Sequence, residues 1–200
     1  MDLFSSKNTP IQLQIPDGDV IFYPYFFEKT QADQLFEILL KSVQWQQDEI
    51  KIFGKTHPQP RLTALYANNK NTYSYSNITM TPHQFTEELL MIKNNIERII
   101  SEKFTTCLLN LYRDGQDSNG WHADDEKELG SEPVIASVSL GEERWFHFKH
   151  KTKTLKQKLL LPHGSLLIMK GKTQENWLHQ IPKTRKIIKP RINLTFRSIH

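Results

Sequence analysis

Two stretches of the chain carry apolar residues at helical spacing. Over residues 30–45 they recur every three or four positions, and Thr30 is of a residue type common at helix N-caps. A second apolar stripe over 81–101 follows Thr81 and Pro82, a pair typical of a helix start. The pattern predicts two amphipathic helices in the first half of the chain.

Most of the remaining sequence alternates apolar and polar residues in short runs. Three such runs, DEIKIFGK, PRLTALYA and TYSYSNITM, lie between the predicted helices. From about Cys107 onward they follow one another as CLLNLYR, VIASVSL, RWFHFKH, KLLLPHGSLLIM, NWLHQI and RINLTFRSI. Many short strands in succession predict a barrel or a double-sheet jelly roll, with the two helices against one face.

The run RINLTFR at 191–197 has two chemically different faces. Alternation places Arg191, Asn193, Thr195 and Arg197 on one face and Ile192, Leu194 and Phe196 on the other. If the apolar face packs against the helices, both arginines point into the β core, where burial is costly unless anions meet them. Their Cα atoms would lie about 20 Å apart, and their side chains could close on a small dicarboxylate. An edge strand with both arginines in solvent is the alternative.

Composition narrows the class of protein. The chain has 200 residues, enough for one domain with a sizeable core, and no run of apolar residues long enough to span a membrane. Its single cysteine, Cys107, excludes an internal disulfide framework, and the stretch MDLFSSKNTPIQ lacks the features of a secretory signal. We therefore expect an intracellular protein. A net charge of +4 is a mild indication of polyanionic partners.

The segment WHADDE at 121–126 suggests a metal site. His122 and Asp124 are separated by one residue, so on an extended segment both side chains point the same way. His179, shortly before the arginine strand, is the candidate third ligand. Two histidines and one carboxylate suit non-haem Fe(II) and leave positions open for a keto acid and dioxygen. The histidine of an isolated H-x-D motif is more often an ordinary loop residue. Here the motif is followed along the chain by His179 and then by R-x-N-x-T-x-R, and this order strengthens the metal hypothesis.

With these residues in view, the chain resembles the AlkB-like Fe(II)/2-oxoglutarate dioxygenases over most of residues 50–200. The matching segments are NLYRDG at 110–115, WHADDE at 121–126, IASVSLG at 135–141, LPHGSLLIM at 161–169, WLHQIP at 177–182 and PRINLTFR at 190–197. IFGK, PR, TYSYS and HADDE also occur in the order found in members that repair alkylated bases in double-stranded DNA. FFEKTQADQLFEILL resembles the family's early helix.

The resemblance implies a fold and a site. It implies an α+β protein with a double-stranded β-helix (jelly-roll) core at 104–200, an N-terminal extension and helix at 1–50, nucleotide-recognition hairpins at 50–80 and a buttress helix at 81–101, all in one dioxygenase domain over 1–200. His122, Asp124 and His179 would bind Fe(II). The implied 2-oxoglutarate pocket consists of Asn110, Tyr112, Arg191, Asn193, Thr195 and Arg197, with the two arginines on the two carboxylates.

The activity implied by the resemblance is oxidative demethylation of DNA. Fe(II), 2-oxoglutarate and O2 would remove N-alkyl groups from N1-methyladenine or N3-methylcytosine, releasing formaldehyde, succinate and CO2. We expect a monomer without a membrane, in the cytoplasm of a bacterium or the nucleus of a eukaryote. Two alternatives stay open: a related dioxygenase acting on RNA or another methylated substrate, and a nucleic-acid-binding module without chemistry. The intact triad and both arginines argue against the second.

The resemblance also implies contacts to a flipped base. Phe53, followed by Gly54 at a predicted hairpin tip, resembles the family's intercalating residue, although it could simply pack onto the domain. Tyr73 and Tyr75 share a strand face and could stack on the base, or be core tyrosines. Ser76 and Arg61 belong to the same predicted recognition region.

Charged residues complete the predicted nucleic-acid contacts. A carboxylate beside the iron would favour cationic lesions, and by resemblance Asp125 is preferred over Glu126, whose alternative is a solvated helix start. Arg185 and Lys186, in the KTRK segment, could touch the DNA backbone, as could the basic stretch at 149–158. Either segment could instead be a solvated loop.

Overall fold

A computed structural model describes the backbone of residues 9–52, 54–69, 73–75 and 78–199, and the side chains of all of these except 51, 52, 73–75, 78 and 79. In chain order the elements are β1 (Ile11–Gln12), β2 (Asp19–Tyr23), α1 (Lys29–Ser42), β3 (Glu49–Ile52), β4 (Lys55–Pro58), β5 (Leu62–Ala67), β6 (Tyr73–Tyr75), β7 (Ile78–Met80), β8 (His83–Gln84), α2 (Glu87–Glu97), β9 (Thr106–Tyr112), β10 (Asn119–His122), β11 (Ile135–Gly141), β12 (Arg144–His150), β13 (Lys156–Leu161), β14 (Ser165–Lys170), α3 (Thr173–Asn176), β15 (Trp177–Ile181) and β16 (Arg191–Arg197). A short 3-10 turn covers Lys127–Leu129.

Two sheets form the β core. The main sheet has the strand order β1-β2-β14-β11-β16-β9-β5-β8, and the minor sheet has the order β10-β15-β12-β13. Neighbouring strands are antiparallel except β5 and β8. Side chains of both sheets meet in one apolar cluster, to which the main sheet contributes Tyr112 and Leu167 and the minor sheet contributes Phe148 and Trp177. This two-sheet arrangement confirms the predicted jelly-roll core.

The two helices cover the opposite face of the main sheet. Leu35 and Leu39 of α1 and Ile92 of α2 pack in the same cluster as Leu194 and Phe196 of β16. The apolar face of RINLTFR therefore does pack against a helix layer, as its alternation predicted. All seven residues of β16 are buried, so the polar face is buried as well, towards the minor sheet.

The helix boundaries differ from the predicted ones. α1 begins at Lys29 after Glu28, one position before the predicted cap. α2 covers only Glu87–Glu97 rather than 81–101, because Thr86 is its N-cap and its hydroxyl accepts a hydrogen bond from the Leu89 amide. Residues 81–82 lead instead into β8 at the edge of the main sheet.

The main sheet also extends beyond the predicted core limits. β2 pairs with β14, and β5 pairs with β9 along its whole length, although both strands precede residue 104. β5 was expected in the region of recognition hairpins, but its residues Thr63–Ala67 are buried, and burial on both faces requires a strand inside a sheet. The pairs β3–β4 and β6–β7 do form separate two-stranded hairpins.

Membrane-spanning helices are absent from the described ranges: none of the helices there has the length and apolar character needed to cross a bilayer.

Adjacent leucines of α2 provide a test of the buttress. Leu89 is completely buried and Leu90 is 41% exposed. We expect Leu89→Ala to lower the free energy of unfolding by about 3 kcal/mol, because it removes buried methyl groups and leaves a cavity, whereas Leu90→Ala should change it by about 0.5 kcal/mol or less. Urea denaturation of both variants measures the difference, and equal losses would contradict the packing described here.

Candidate metal and cosubstrate site

Two strands of the minor sheet bring the predicted histidines together. His122 at the end of β10 is the register partner of His179 on β15, and their ring centroids lie 4.2 Å apart at an interplanar angle of 63°. Phe146 of β12 stacks on the His179 ring with centroids 5.1 Å apart. The imidazoles are thus held side by side by strand pairing and by an aromatic wall.

Asp124 joins them from the loop after β10. Its backbone N–H donates to Gln174 Oε1 at 3.0 Å, which fixes the turn that sends its side chain inward. Asp124 Oδ2 lies 3.9 Å from His179 Nε2. One ligand atom from each of His122, Asp124 and His179 lies within 4.8 Å of the others, close enough to share one metal ion.

Both histidines have the charge state that a metal ligand requires. Burial lowers the pKa of His122, and it lowers the pKa of His179 to about 3, so both rings are neutral near pH 7. His122 Nδ1 lies 2.7 Å from the Gly120 carbonyl oxygen, to which its N–H donates, so Nε2 carries the lone pair. That Nε2 accepts a hydrogen bond from Asn119 Nδ2 at 3.2 Å, a contact that a metal ion would replace. Neutral imidazoles with an orientating backbone bond are typical of metal sites.

The carboxylate of Asp124 is kept ionised by an arginine from the facing sheet. Burial, the largest single influence, would raise the pKa of Asp124, but Arg197, with smaller contributions from His179 and His122, outweighs it and the pKa is lowered. Arg197 Nη2 donates to Asp124 Oδ1 at 2.6 Å, and both side chains are almost completely buried. Arg197 is therefore bound to the candidate metal ligand, in addition to its predicted role towards a cosubstrate carboxylate.

Arg191, at the other end of β16, has spare hydrogen-bonding capacity. It is 1% exposed, and its Nη2 donates to Ser139 Oγ at 2.9 Å. Its Nε and Nη1 have no hydrogen-bond partner among the described residues. Burial lowers its pKa to about 10, which still leaves it charged at neutral pH. A buried cation with two idle donors fits a small carboxylate ligand.

Three further predicted residues are fixed by hydrogen bonds beside Arg191. Asn110 Oδ1 accepts from Arg61 Nε at 2.7 Å, which leaves its amide N–H groups to face the cavity. Asn193 Nδ2 donates to Ser137 Oγ at 2.8 Å, and the Thr195 hydroxyl donates to Asn193 Oδ1 at 3.1 Å. Asn193 and Thr195 are thus largely used within the sheet, in keeping with the supporting roles predicted for them.

A single cavity between the sheets is lined by all nine predicted metal and cosubstrate residues. They are His122, Asp124, His179, Asn110, Tyr112, Arg191, Asn193, Thr195 and Arg197. Two neutral imidazoles and an ionised carboxylate suit Fe(II), and the idle donors of Arg191 suit a carboxylate of 2-oxoglutarate. The residues present fit both groups.

The family is shown by comparison with known proteins. The model of the 2OG-Fe(II) oxygenase superfamily matches residues 19–197. The chain belongs to this superfamily. It is 43% identical over 191 residues to the mouse alpha-ketoglutarate-dependent dioxygenase alkB homolog 3, covering 90% of this chain and 66% of that protein. It is 38% identical over 188 residues to the human DNA oxidative demethylase ALKBH2, covering 88% of this chain and 72% of that protein.

These relatives confirm the resemblance to AlkB-like dioxygenases. The chain spans about two thirds of the length of the alkB homolog 3 proteins it matches. Among solved structures, that of OsALKBH1 has a TM-score of 0.68 at 17% identity and covers 94% of this chain and 100% of that one. An oxidoreductase of the 2OG-Fe(II) oxygenase family from Burkholderia pseudomallei has a TM-score of 0.61 at 12% identity, covering 90% of this chain and 85% of that one. Both confirm the oxygenase fold.

Arg144 supports this 2OG-Fe(II) oxygenase site and was missed in the sequence. It is buried, and its Nη2 donates to the Asp117 and Pro182 carbonyl oxygens at 3.0 and 2.7 Å. It therefore ties the loop before β10 to the end of β15, the two strands that carry the histidines. Alternation in RWFHF places Arg144 on the same side as Phe146, which was the available signal.

Asp125 and Glu126, the two carboxylates predicted to contact the base, differ in their burial. The Asp125 side chain is 57% exposed and pairs with Lys151 at 3.0 Å. Glu126 Oε2 is buried and has no hydrogen-bond partner in the described part of the chain. Burial raises the pKa of Glu126, and the charge of Arg197 partly opposes this. An idle buried carboxylate is the better candidate for meeting a cationic base.

Several predicted nucleic-acid contacts occupy different surroundings. Arg61 is 4% exposed and donates to Asn110 and to the Ser118 carbonyl oxygen, so it supports the cosubstrate wall and does not face solvent. Gly54 lies exposed in the turn between β3 and β4 with a φ of 77°, a conformation that favours glycine. Phe53 and Ser76 lie outside the described residues. Tyr73 and Tyr75 lie on β6 of the second hairpin.

The basic loop between β15 and β16 is exposed and anchored near the site. Arg185 and Lys186 are both exposed. The Thr184 N–H donates to the Gly115 carbonyl oxygen at 2.8 Å, and a Cβ at Gly115 would approach the Thr184 oxygen to 2.6 Å. The loop is thus held against the turn before β10, with Arg185 and Lys186 exposed on it.

Removal of one ligand should abolish stoichiometric metal binding. We expect His179→Ala to lose Fe(II) binding, because only two of the three protein ligands, His122 and Asp124, would remain. His57→Ala is the matched control, since His57 is exposed on β4. Metal content after anaerobic reconstitution and desalting measures the effect, and retention of one equivalent by His179→Ala would contradict the assignment.

Arg191 should control cosubstrate affinity. We expect Arg191→Gln to raise the KM for 2-oxoglutarate about tenfold or more, because a charge-assisted hydrogen bond contributes about 1.5–3 kcal/mol. The exposed Arg98→Gln serves as control. Initial rates at several 2-oxoglutarate concentrations separate the two variants, and an unchanged KM in Arg191→Gln would rule out this binding role.

Proposed function

We propose that this chain is an oxidative demethylase of N-alkylated bases in DNA, acting on lesions such as N1-methyladenine and N3-methylcytosine. The observation that carries the proposal is the cavity in which the triad of His122, Asp124 and His179 faces the idle donors of Arg191. The names of the relatives at 38–43% identity, DNA oxidative demethylase and alpha-ketoglutarate-dependent dioxygenase, support it.

In this proposal the main sheet binds the cosubstrate. Arg191 would donate its free Nε and Nη1 to one carboxylate of 2-oxoglutarate, with the Tyr112 ring 5.2 Å from the guanidinium carbon. Asn110 would donate from the same strand as Tyr112. Arg197 would keep Asp124 ionised and in place. The same Arg197 side chain would also contact the second carboxylate of 2-oxoglutarate.

The minor sheet holds the metal. His122, Asp124 and His179 would bind Fe(II), which with 2-oxoglutarate and O2 supplies the oxidation of the N-methyl group and yields succinate, CO2 and formaldehyde. Phe146 and Ile181 line the same cavity and exclude water from it. Strand pairing of β10 with β15 fixes the two imidazoles before any ligand arrives.

Glu126 would select the base. N1-methyladenine and N3-methylcytosine carry positive charge, and a carboxylate with a buried, unpaired oxygen gains more from a cation than a solvated one does. Burial raises the pKa of Glu126, which favours its uncharged form. The positive charge of the bound base would oppose this effect and keep the carboxylate ionised. Asp125, paired with Lys151 in solvent, would contribute little.

We further propose that the substrate is duplex DNA with the target base flipped into the cavity. The hairpins β3–β4 and β6–β7 would contact the flipped base and the gap it leaves, through Phe53, Tyr73 and Tyr75, while Arg185 and Lys186 would contact phosphates. The chain would act as a monomer within one dioxygenase domain, inside the cell where DNA is located.

Direct product analysis tests the reaction. We expect formaldehyde release and restored adenine, detected by mass spectrometry, when Fe(II), 2-oxoglutarate, O2 and a duplex bearing N1-methyladenine are supplied. Asp124→Asn, which keeps the shape of the side chain, should abolish both products. Turnover of a methylated RNA strand, with no turnover of methylated single-stranded or duplex DNA, would show that the substrate is RNA and not DNA.

Substitution of the neighbouring carboxylates Glu126 and Asp125 tests which of them contacts the base. We expect Glu126→Gln to lower kcat/KM for N1-methyladenine about tenfold or more, since a hydrogen bond to a charged group is lost. Asp125→Asn should stay within about twofold, because its exposed ion pair contributes little. The same oligonucleotide serves both variants, and a larger loss in Asp125→Asn would reverse the assignment.

A further inference from the structure

The minor sheet presents one face to the cavity and the other to solvent. On β12 the alternation is strict: Arg144, Phe146 and Phe148 are buried, whereas Trp145, His147 and Lys149 point outward. Trp145 is 43% exposed. A tryptophan this exposed at the centre of a regular sheet needs an explanation, because a large ring in solvent contributes little to folding.

The neighbouring strands extend this surface. Strand pairing places Lys158 beside His147 and Lys156 beside Lys149 on β13, and Gln180 beside His147 on β15. Trp121 on β10 is 41% exposed and lines a groove of about 540 Å³ together with His147, Lys156, Lys158 and Gln180. We call Trp121, Trp145, His147, Lys149, Lys156, Lys158 and Gln180 the outer basic face.

The charge of the outer basic face is not neutralised. Among the described residues, Lys149, Lys156 and Lys158 make no ion pair, and no carboxylate lines the groove beside Trp121. Trp145 and His147 also border a neighbouring groove, in which Glu142 and Glu143 are accompanied by Lys183 and Lys186. The adjacent Lys151, by contrast, is paired with Asp125. Three free ammonium groups on one rigid sheet therefore fit a polyanion.

The aromatic groups specify which polyanion. Lys158 Nζ lies 4.8 Å from the centroid of the Trp145 ring, so cation and ring form one unit on the surface. Exposed rings interleaved with lysines are how proteins bind single-stranded nucleic acid, because bases stack on the rings while lysines meet phosphates. A duplex would offer its phosphates but no unstacked base to the rings.

We propose that the outer basic face binds a single-stranded segment that flanks the duplex carrying the target base, outside the catalytic cavity, with Trp145 as the stacking platform. This inference rests on the proposed function only in taking the bound strand to be the substrate. β10 connects the two places: Trp121 is on the outer face, and the next residue, His122, lines the cavity. A strand on this face thus lies one residue from the wall of the metal site.

Charge removal gives the first test. With unmodified oligothymidine as the probe, Lys149→Gln/Lys156→Gln/Lys158→Gln should make the slope of log affinity against log salt less negative by about 2, since each phosphate contact to a single strand contributes about 0.7. Lys29→Gln/Lys41→Gln/Lys172→Gln removes the same charge from exposed positions elsewhere and should leave the slope unchanged. Equal slopes for the two triple variants would overturn the proposal.

Removal of the Trp145 ring gives the second test. Trp145→Ala should weaken oligothymidine binding about tenfold, and Trp145→Phe should restore most of it, because stacking requires only an aromatic ring. Weakened binding to vesicles of anionic phospholipid with unchanged oligothymidine binding would overturn the proposal in favour of a lipid surface. The exposed position of Trp145 makes unfolding of either variant unexpected, and a thermal melt checks this.

Turnover separates this proposal from the proposed function. With a methylated trinucleotide, Trp145→Ala should keep the wild-type kcat and KM, whereas a long methylated single strand should show a raised KM and an unchanged kcat. An equal loss on both substrates would place Trp145 in the catalytic site and overturn the outer-face assignment. Absence of turnover in the wild-type protein would remove the demethylase, while the oligothymidine measurements would still decide the outer basic face.

Discussion

The burial of two guanidinium groups on one central strand is the constraint on which this structure depends. Arg191 and Arg197 are 1% and 3% exposed, and a buried charge without a partner costs several kcal/mol. Arg197 meets Asp124 across the gap between the sheets at 2.6 Å. Among the described residues, Arg191 meets a hydroxyl of Ser139 and the ring of Tyr112. One end of β16 is therefore electrostatically satisfied by the protein, and the other is left for an anion.

This asymmetry divides the work between the two sheets. Strand β16 pairs with β11 over six residues and with β9 over seven, so the positions of its polar side chains are fixed by backbone pairing. The minor sheet supplies the imidazoles and their aromatic wall. Asp124 links the two sheets, since it lies beside the two histidines of the minor sheet and is bound by Arg197 of the main sheet. In the proposed site, metal ligation and cosubstrate binding would thus be coupled through the ion pair of Arg197 and Asp124.

Two other buried arginines extend the same arrangement outward. Arg61 holds Asn110 and the Ser118 carbonyl, and Arg144 holds carbonyl oxygens on either side of the metal-bearing strands. A guanidinium with several donors in a fixed plane can join separate loops where no regular pairing is available. The loops around the site are therefore tied to the core, while the lysines of the minor sheet stay on its solvent side.

The sequence by itself determined the two faces of RINLTFR, the H-x-D pair with a later histidine, and a core of many short strands with two helices, because these follow from strand alternation and helical spacing within single segments. The choice of a jelly roll over a barrel came from the family resemblance. It placed the second helix start too early, since Thr81–Pro82 and Thr86 are both good local signals and only sheet pairing of 83–84 chose between them. Tertiary structure alone decided that a carboxylate oxygen of Glu126 is buried while Asp125 is exposed, that Arg61 is buried and donates to Asn110, and that Arg197 binds Asp124. Each of these depends on contacts between residues far apart in the chain, and on burial, which no local pattern records.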